Sequence, residues 1–190
     1  SGAAGSAVNH TFRDNGTYTV SLLIRDNEGA PLLHQFDVTV QNAAPILLPV
    51  IVPANAVEGS AVSFSANFTD AGFDFGPAGG TPRETFTYEI NWGDGSASTT
   101  GIPNVTQLGS IGTPTAGSFS DSHTYADAGS YTVTLSVIDD DGGRADRSLT
   151  LNVAGAAPQL VGIPNRTVNE GTPLNVLDLG GFSLGGISDA

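Results

Sequence analysis

Apolar and polar residues alternate along four stretches of the chain between positions 61 and 153. A period of two is typical of a β-strand that buries one face and exposes the other. No segment has a convincing helical period. The pattern predicts an all-β structure whose core is formed by one face of each stretch: Val62, Phe64, Ala66 and Phe68; Phe86, Tyr88, Ile90 and Trp92; Tyr131, Val133, Leu135 and Val137; Leu149, Leu151 and Val153.

Turn signals separate the predicted strands. Asp94-Gly95 and Asp141-Gly142 are tight-turn dipeptides, because glycine adopts the positive φ that a hairpin turn needs. The most apolar run, residues 45–53, is interrupted by three prolines and is far shorter than the ~20 residues that span a bilayer. We interpret this run as a linker that leads into an edge strand, where proline is tolerated.

The chain repeats itself at a spacing of 113 residues. A weaker match, at a spacing of 112, links Glu58-Gly59 with Glu170-Gly171. The repeated positions are His10-Thr11-Phe12, Gly16, Tyr18-Thr19-Val20, Asp26, Gly29 and Pro45, which recur as His123-Thr124-Tyr125, Gly129, Tyr131-Thr132-Val133, Asp139, Gly142 and Pro158. A fixed long period predicts a tandem array of structural repeats.

This spacing divides the chain into three parts. Residues 1–43 form the back half of one repeat, residues 44–154 a complete repeat, and residues 155–190 the front of a third. Within the complete repeat, Asp127-x-Gly129-x-Tyr131 occupies the place of the tyrosine corner of an immunoglobulin-type sandwich. We therefore predict a seven-strand Greek-key β-sandwich for residues 44–154.

These residues resemble a known family. The ordered motifs Trp92-Gly93-Asp94-Gly95, His123-Thr124-Tyr125, Gly129 to Leu135 and Asp139 to Gly143 are similar to the PKD (polycystic kidney disease) domain of bacterial surface proteins. The resemblance implies immunoglobulin-like sandwiches in long arrays that act as extracellular spacers, adhesion modules or substrate tethers, sometimes with bound calcium. The glycine-rich insert around residues 73–82 departs from the family pattern.

Charge and composition narrow the choice of partners. The chain has 19 acidic and 6 basic residues, no lysine, and a formal net charge of −13 at pH 7. Nucleic acid and anionic membrane surfaces are poor partners for such a chain, since both are bound through Lys and Arg. The absence of cysteine excludes disulfides and thiol chemistry. Abundant Gly, Ser and Thr with few charges suits a secreted bacterial β-protein.

Some residues invite a catalytic or ligand-binding interpretation. Trp92 is the only tryptophan and is either a sugar-stacking platform or, as the core interpretation favours, a buried residue of its strand. Asp121, Ser122 and His123 are the residue types of a hydrolase triad, but strand alternation places Ser122 on the face opposite to its neighbours. His10 and His123 recur beside a turn, which favours a structural role. We therefore predict that the chain is not an enzyme and holds no catalytic residue.

Acidic loops provide the one candidate metal site. In a sandwich of this topology, the loop after the second strand and the loop between the last two strands meet at the end that faces the incoming linker. Ca²⁺ requires six to eight oxygen ligands, which converging carboxylates supply. Asp70, Asp139 and Asp141 are the candidate ligands. The alternative is that Asp139 to Gly143 forms only a solvated hairpin turn.

These observations predict a structural or adhesive module of an extracellular or cell-surface repeat protein, such as a stalk, sheath or filament unit. The alternative is a module that binds carbohydrate or cells and tethers a larger secreted protein to extracellular polysaccharide. The partial repeats at both ends predict contacts with neighbouring repeats. Those repeats belong either to a longer array or to other copies of the chain in a head-to-tail homopolymer, in which residues 174–187 of one copy meet residues 18–40 of the next.

Overall fold

The computed structural model describes residues 8–73, 84–157, 159–160, 167, 169–171 and 182–183. Within these residues every regular element is a β-strand. The strands are β1 (Gly16–Arg25), β2 (Pro31–Val40), β3 (Ile46–Leu47), β4 (Ala56–Val57), β5 (Ala61–Asp70), β6 (Phe86–Asn91), β7 (Thr99–Gly101), β8 (Asn104–Gln107), β9 (Thr115–Thr124), β10 (Gly129–Asp139), β11 (Arg144–Ala154), β12 (Gln159–Leu160) and β13 (Phe182–Ser183). No helix in the described residues is long and apolar enough to cross a bilayer.

The central repeat is an immunoglobulin-like β-sandwich, as the sequence predicts. One sheet has the strand order β4-β11-β10-β6-β7 and the other the order β3-β5-β9-β8. The inward faces of the two sheets form one hydrophobic core. Pairs of neighbouring strands are antiparallel except β4 and β11, which run parallel at Ala56 and Val153.

The central repeat has nine strands rather than the predicted seven. The proline-interrupted run explains part of the difference, because it divides the opening strand into two short edge strands, β3 and β4, that belong to different sheets. Proline is tolerated at this position because one side of an edge strand forms no hydrogen bonds within the sheet and therefore needs no backbone NH donor. Residues 99–107 add two further short strands, β7 and β8.

The alternating residues of the sequence form the core. The side chains of Phe64, Phe68, Trp92 and Leu135 are almost wholly buried, and both Phe64 and Phe68 contact aromatic rings of the facing sheet. Tyr88, Tyr131 and Leu149 are half-buried and pack against the core from its margin. The period-two prediction is therefore confirmed, and Tyr88, Tyr131 and Leu149 are its least buried members.

The hairpin β1–β2 repeats the hairpin β10–β11 in the same register. Gly16 pairs with Val40 as Gly129 pairs with Val153, and every later pair along β1 is also displaced by 113 positions from its counterpart. The surroundings of the two hairpins differ. Leu135 is 0% exposed, whereas its counterpart Leu22 is 49% exposed. Large apolar residues exposed on the first hairpin are Leu22, Leu23, Ile24, Leu32, Leu33 and Phe36.

Both hairpins carry a tyrosine corner. The hydroxyl of Tyr131 donates a hydrogen bond to the carbonyl oxygen of Asp127 at 2.9 Å, and that of Tyr18 donates to the carbonyl oxygen of Asp14 at 3.0 Å. The ring of each tyrosine also contacts the aromatic ring six positions before it. This predicted corner is confirmed in each hairpin, so the first hairpin has the local structure of a repeat's back half.

The outward faces of the two hairpins differ in chemistry. On the central hairpin, Arg144 forms ion pairs with Asp146 at 2.7 Å and with Glu89 of β6 at 3.0 Å. Ser136 also donates a hydrogen bond to Asp146. The first hairpin has Pro31, Leu23 and Leu33 at the positions of Arg144, Ser136 and Asp146. Leu23 and Leu33 form a cross-strand pair instead of this polar ladder.

One strand pair lies in the segment predicted to begin a third repeat. Leu160 pairs with Phe182 and Gln159 with Ser183, in the same antiparallel arrangement that joins Leu47 to Phe68 and Ile46 to Thr69 in the central repeat. Most of residues 155–190 and the insert at residues 74–83 lie outside the described residues. The predicted contacts of residues 174–187 with another copy also fall largely outside them.

Truncation of Trp92 should test the core. Because this side chain is 1% exposed, we expect Trp92→Ala to lower the free energy of unfolding by about 3–5 kcal/mol through loss of packing and a cavity. Ile102, which is apolar and largely exposed, provides the matched control, and Ile102→Ala should cost less than about 0.5 kcal/mol. Urea unfolding of the purified chain measures both values. Equal midpoints for the two variants would contradict the core assignment.

Candidate functional site at the inter-repeat junction

Trp92 belongs to a buried structural cluster. Its indole NH donates a hydrogen bond to the hydroxyl of Thr99 at 2.9 Å, and its ring stacks on His123 at a centroid distance of 4.9 Å. Nε2 of His123 lies 2.6 Å from a carboxylate oxygen of Asp94. Hydrogen bonds from Ser96 and His123 lower the pKa of Asp94 to about 2, against the opposing effect of desolvation. The sugar-stacking interpretation of Trp92 therefore loses its basis.

The triad residue types do not assemble. Ser122 is exposed and pairs with Ser63 on the outer face of its sheet, whereas His123 turns toward Trp92. The carboxylate of Asp121 accepts a hydrogen bond from the hydroxyl of Tyr88 rather than from a histidine. Ser122 therefore cannot give its proton to His123, and Asp121 does not orient that histidine, so the three residues lack the geometry of a triad.

The remaining aromatic surface of the central repeat is also occupied. The ring of Tyr88 stacks on Phe119 at 4.6 Å, and Gly101 approaches the same ring so closely that a Cβ atom there would lie 2.7 Å from it. Tyr125 is fully buried. A flat aromatic platform for a sugar ring is therefore missing from this part of the described structure.

Acidic residues do converge at one end of the sandwich. Asp70 ends β5 and Asp139 ends β10, and Glu84 precedes β6. All three residues are largely buried. Asp70 accepts a hydrogen bond from the NH of Gly72 through one carboxylate oxygen, while its other oxygen is buried without a hydrogen-bond partner. The sandwich topology brings these residues together because β5 and β10 finish, and β6 begins, at the same end of the sandwich.

The electrostatics of this end are unfavourable to ionised carboxylates. Desolvation by burial, followed by the negative charges of Asp70 and Asp140, raises the pKa of Glu84 to about 8. Desolvation also raises the pKa of Asp70 to about 6, with smaller contributions from Asp139 and Asp140 and opposition from the Gly72 hydrogen bond. Two buried carboxyls therefore bind protons at a pH where ordinary carboxyls are ionised.

Of the predicted calcium ligands, Asp70 and Asp139 come to the same end, as expected from the topology. Asp141 is exposed in the turn that follows β10, and Asp74 of the neighbouring loop lies outside the described residues. No group of three or more acidic or histidine side chains in the described ranges already has the spacing of a metal site. A cation would therefore have to draw these oxygens together.

The same acidic end contacts the first hairpin. The side-chain amide of Asn42 donates a hydrogen bond to the carboxylate of Asp139 at 2.7 Å. The NH of Phe73 donates to the carbonyl oxygen of Arg13 at 3.1 Å. Between the two units lies a cleft of about 110 Å³, lined by Phe12, Arg13, Asp14, Asn15, Val40, Gln41, Asn42, Ala43, Ala71, Gly72 and Glu84. The acidic end is thus an inter-repeat junction.

A glycine allows the linker to approach this closely. The turn after β10 places Gly142 at φ 85°, and Gly143 follows it with its backbone against the linker. A Cβ atom at position 143 would lie 2.7 Å from the amide nitrogen of Asn42 and 2.8 Å from the Cα of Ala44. Any larger residue would force the linker away from the turn.

Sequence reasoning did not identify Glu84 and Asn42 as members of this site. Glu84 stands alone at the end of a glycine-rich insert, where no spacing signal marks it. One sequence feature could have pointed to Asn42 as a junction residue: it lies three residues before Pro45, the proline that recurs in the next repeat.

The chain resembles several known proteins. A family model described as PKD domain matches residues 1–40 and 110–154. The chain is 25% identical to the PKD domain of an M14-like peptidase from a Thermoplasmatales archaeon, over 60% of this chain and 99% of that one, with a TM-score of 0.37. It is 17% identical to domains 4 and 5 of the S-layer protein SbsC, over 74% of this chain and 66% of that one, with a TM-score of 0.23. No curated protein matches it.

The family model and the internal repeat agree. The matched segments include both hairpins, β1–β2 and β10–β11, which share one register at a spacing of 113 residues. Each hairpin has a tyrosine corner, and the second completes an immunoglobulin-like sandwich. Both hairpins therefore lie in segments that match the PKD domain family.

Proposed function

We propose that the chain is a structural or adhesive module of an extracellular repeat protein, in which stacked β-sandwiches hold a fixed geometry over a distance. One observation carries this proposal. The first hairpin has the register and tyrosine corner of a complete repeat, yet it exposes the apolar face that the central repeat buries. A hairpin of two strands with an uncovered apolar face is marginal in water, so it needs the front half of a repeat.

The central repeat indicates what this front half contributes. There, β6 pairs along the free edge of β10, while the inward residues of β5 and β9, such as Phe64 and Phe119, share a core with Val133 and Leu135. The front half for β1–β2 comes either from the preceding repeat sequence of a longer chain or from a second copy of this chain. Both arrangements produce an array of neighbouring repeats.

Family and charge agree with a role outside the cell. PKD-type repeats are typical of non-catalytic modules of surface and secreted proteins. More specifically, the chain is assigned to a bacterial surface protein, as the sequence resemblance implies. A net charge of −13 keeps such a module soluble and limits non-specific association. Attachment to polysaccharide, the alternative function, gains no support from Trp92, Tyr88 or Tyr125, because these aromatic side chains of the described central repeat pack in or against its core.

We further propose that the junction binds Ca²⁺ through Asp70 and Asp139, with Asp141 as the third predicted ligand. The buried oxygen of Asp70 that has no hydrogen-bond partner supports this proposal, since a buried unpaired polar atom is costly unless something satisfies it. Burial is the main cause of the raised pKa of Glu84, and a divalent cation would offset the smaller part that comes from the neighbouring carboxylates. Carboxylate and carbonyl oxygens are the ligands that Ca²⁺ prefers.

A fused chain should test the structural proposal. The fusion places residues 44–125 directly before Arg13. Tyr125 is then joined to β1–β2 in the same way as it is joined to β10–β11 in the central repeat, so that β1–β2 receives a front half. We expect hydrogen exchange of the β1 amides to slow by roughly a hundredfold or more relative to the parent chain, because the hairpin joins a cooperative unit. Leu22→Asp in the fusion should abolish this protection, whereas Ser21→Asp, on the outward face, should preserve it. Unchanged exchange in the fusion would contradict the proposal.

Calcium should raise the melting temperature of the parent chain, because an ion that binds only the folded state stabilises it. Asp70→Asn keeps the acceptor for Gly72 but lowers the charge, and it should remove the calcium-dependent rise. Asp141→Asn tests the third ligand, and Asp37→Asn, on the first hairpin, is the matched control. Calorimetry in calcium and in chelator, at equal ionic strength, measures these shifts. Identical melting curves in the two solutions would rule out the ion.

The acidic end should also make stability depend on pH. Glu84 and Asp70 have higher pKa values in the folded chain than their ordinary values of 4.5 and 3.8. Between the ordinary and the raised pKa values, the folded state therefore binds more protons than the unfolded state. Rising pH over this range destabilises the folded state. In chelator, the melting temperature should increase as the pH falls from about 8 to about 5.

The variant Glu84→Gln should flatten this pH dependence, since it removes the group with the larger shift. Glu28→Gln, in the exposed turn of the first hairpin, should leave it unchanged. A melting temperature that falls over the same interval, or a slope that Glu84→Gln does not alter, would show that the folded chain does not raise the pKa of these carboxyls.

A further inference from the structure

We infer that His10 marks a docking site for the front half of another repeat, which it recognises through a consecutive tryptophan, glycine and aspartate. The indole ring stacks on the imidazole of His10, and the aspartate carboxylate binds Nε2 of the same ring. The inference rests on the proposed need of the first hairpin for a front half. It deepens that proposal by specifying the chemistry that the partner presents.

The central repeat shows how a front half contacts the histidine of its own repeat. His123 lies near the end of β9, in the segment that leads into hairpin β10–β11. The indole ring of Trp92 stacks on its imidazole at a centroid distance of 4.9 Å, with the two planes 14° apart. A carboxylate oxygen of Asp94 lies 2.6 Å from Nε2 of His123. Trp92 and Asp94 follow β6, so the strand that pairs with β10 also supplies both contacts.

The residue between the tryptophan and the aspartate has to be a glycine. Gly93 has a φ of 79°, and a Cβ atom there would lie 2.9 Å from the backbone carbonyl carbon of Thr132 in β10. The counterpart of Thr132 in β1 is Thr19, which has the same cross-strand register. A strand that pairs with β1 in this way therefore meets the same backbone and needs the same small residue.

The first repeat already has the other rings of this arrangement. The imidazole of His10 meets the ring of Phe12 edge-on at 4.8 Å, with planes 80° apart, and Phe12 contacts Tyr18 at 4.6 Å. The matching contacts in the central repeat are 4.8 Å, with planes 89° apart, and 4.4 Å. His10 is exposed, so its imidazole is open to a partner. Rings that are ordered before docking reduce the entropy cost of binding.

The partner of His10 has to bring its own tryptophan. Trp92 is the only tryptophan of the chain, and it already stacks on His123. A second copy of the chain has the same limit, because its Trp92 would have to leave His123 in order to reach His10. The occupant of the site is therefore the front half of a further repeat, with the order Trp-Gly-Asp after the strand that pairs with β1.

A fusion tests the docking site. It places residues 44–122 directly before His10 of the chain, so that an added Trp92, Gly93 and Asp94 can reach that histidine. The added segment contains no histidine, and His123, with its own Trp92 and Asp94, is an internal standard. NMR of the imidazoles measures the outcome. We expect the carbon-bound ring protons of His10 to shift upfield toward the resonances of His123, because a stacked indole shields them.

Three variants of the added segment separate the two contacts. Trp92→Leu keeps an apolar side chain but removes the stacked ring, and it should return the His10 resonances to their positions in the parent chain. Asp94→Asn removes the charged acceptor, and it should speed hydrogen exchange of the β1 amides on the order of tenfold. Glu89→Gln neutralises an exposed carboxylate of β6 that is not part of the site, and it should change neither measurement.

A His10 shift that Trp92→Leu abolishes, together with β1 protection that Asp94→Asn weakens, supports the inference. Unshifted His10 resonances in a fusion whose β1 amides are protected overturn it and leave the proposed array intact. Equal exchange in the Asp94→Asn and Glu89→Gln fusions overturns recognition of the carboxylate. A shift of His10 in the parent chain that grows with protein concentration would assign the site to a second copy, and it would overturn the choice of partner.

Discussion

Every other feature of the molecule depends on covering the apolar face of the hairpin that ends each repeat. In the central repeat, Val133 and Leu135 lose all contact with water because β5, β6 and β9 enclose the hairpin. The tyrosine corner, the Trp92 cluster and the two split edge strands all hold that enclosure together. The first hairpin has the same local structure without the enclosure. Local hydrogen bonding therefore specifies the shape of a hairpin, and burial of its face decides whether it belongs to a stable domain.

The junction differs from the core, because it buries polar groups, whose removal from water costs free energy. Asp70 and Glu84 are desolvated, and neither forms an ion pair with a basic residue in the described structure. A junction built only for stability would replace them with neutral side chains. Their presence there, together with the Asn42 hydrogen bond to Asp139, agrees with a specific contact between this end and the linker. Stability is given up there, and the large core of the sandwich offsets the loss.

The sequence alone predicted the fold because its information is periodic. Alternation along β5, β6, β10 and β11 identified the core, and the spacing of 113 residues identified the repeats. The same reasoning placed Asp70 and Asp139 at one end, since topology fixes which loops meet. It could not identify Glu84, because the glycine-rich sequence before it has no periodic pattern, or the Asn42 contact, because that contact joins two units that lie far apart in the sequence. It also missed the short strands β7 and β8, because three or four residues are too few for a period to appear.

The shared register of the two hairpins has a consequence for folding. Within one chain, β1–β2 and β10–β11 compete for the front half of the central repeat, and misassembly between neighbouring units is a characteristic hazard of repeat proteins. The outward polar ladder distinguishes the competitors. Arg144 reaches Glu89 of β6, whereas the first hairpin would bring Pro31 to that position and leave Glu89 without its cation. Such an exposed ion pair adds little to stability, so its loss in the wrong pairing would favour the correct partner by the same small free energy.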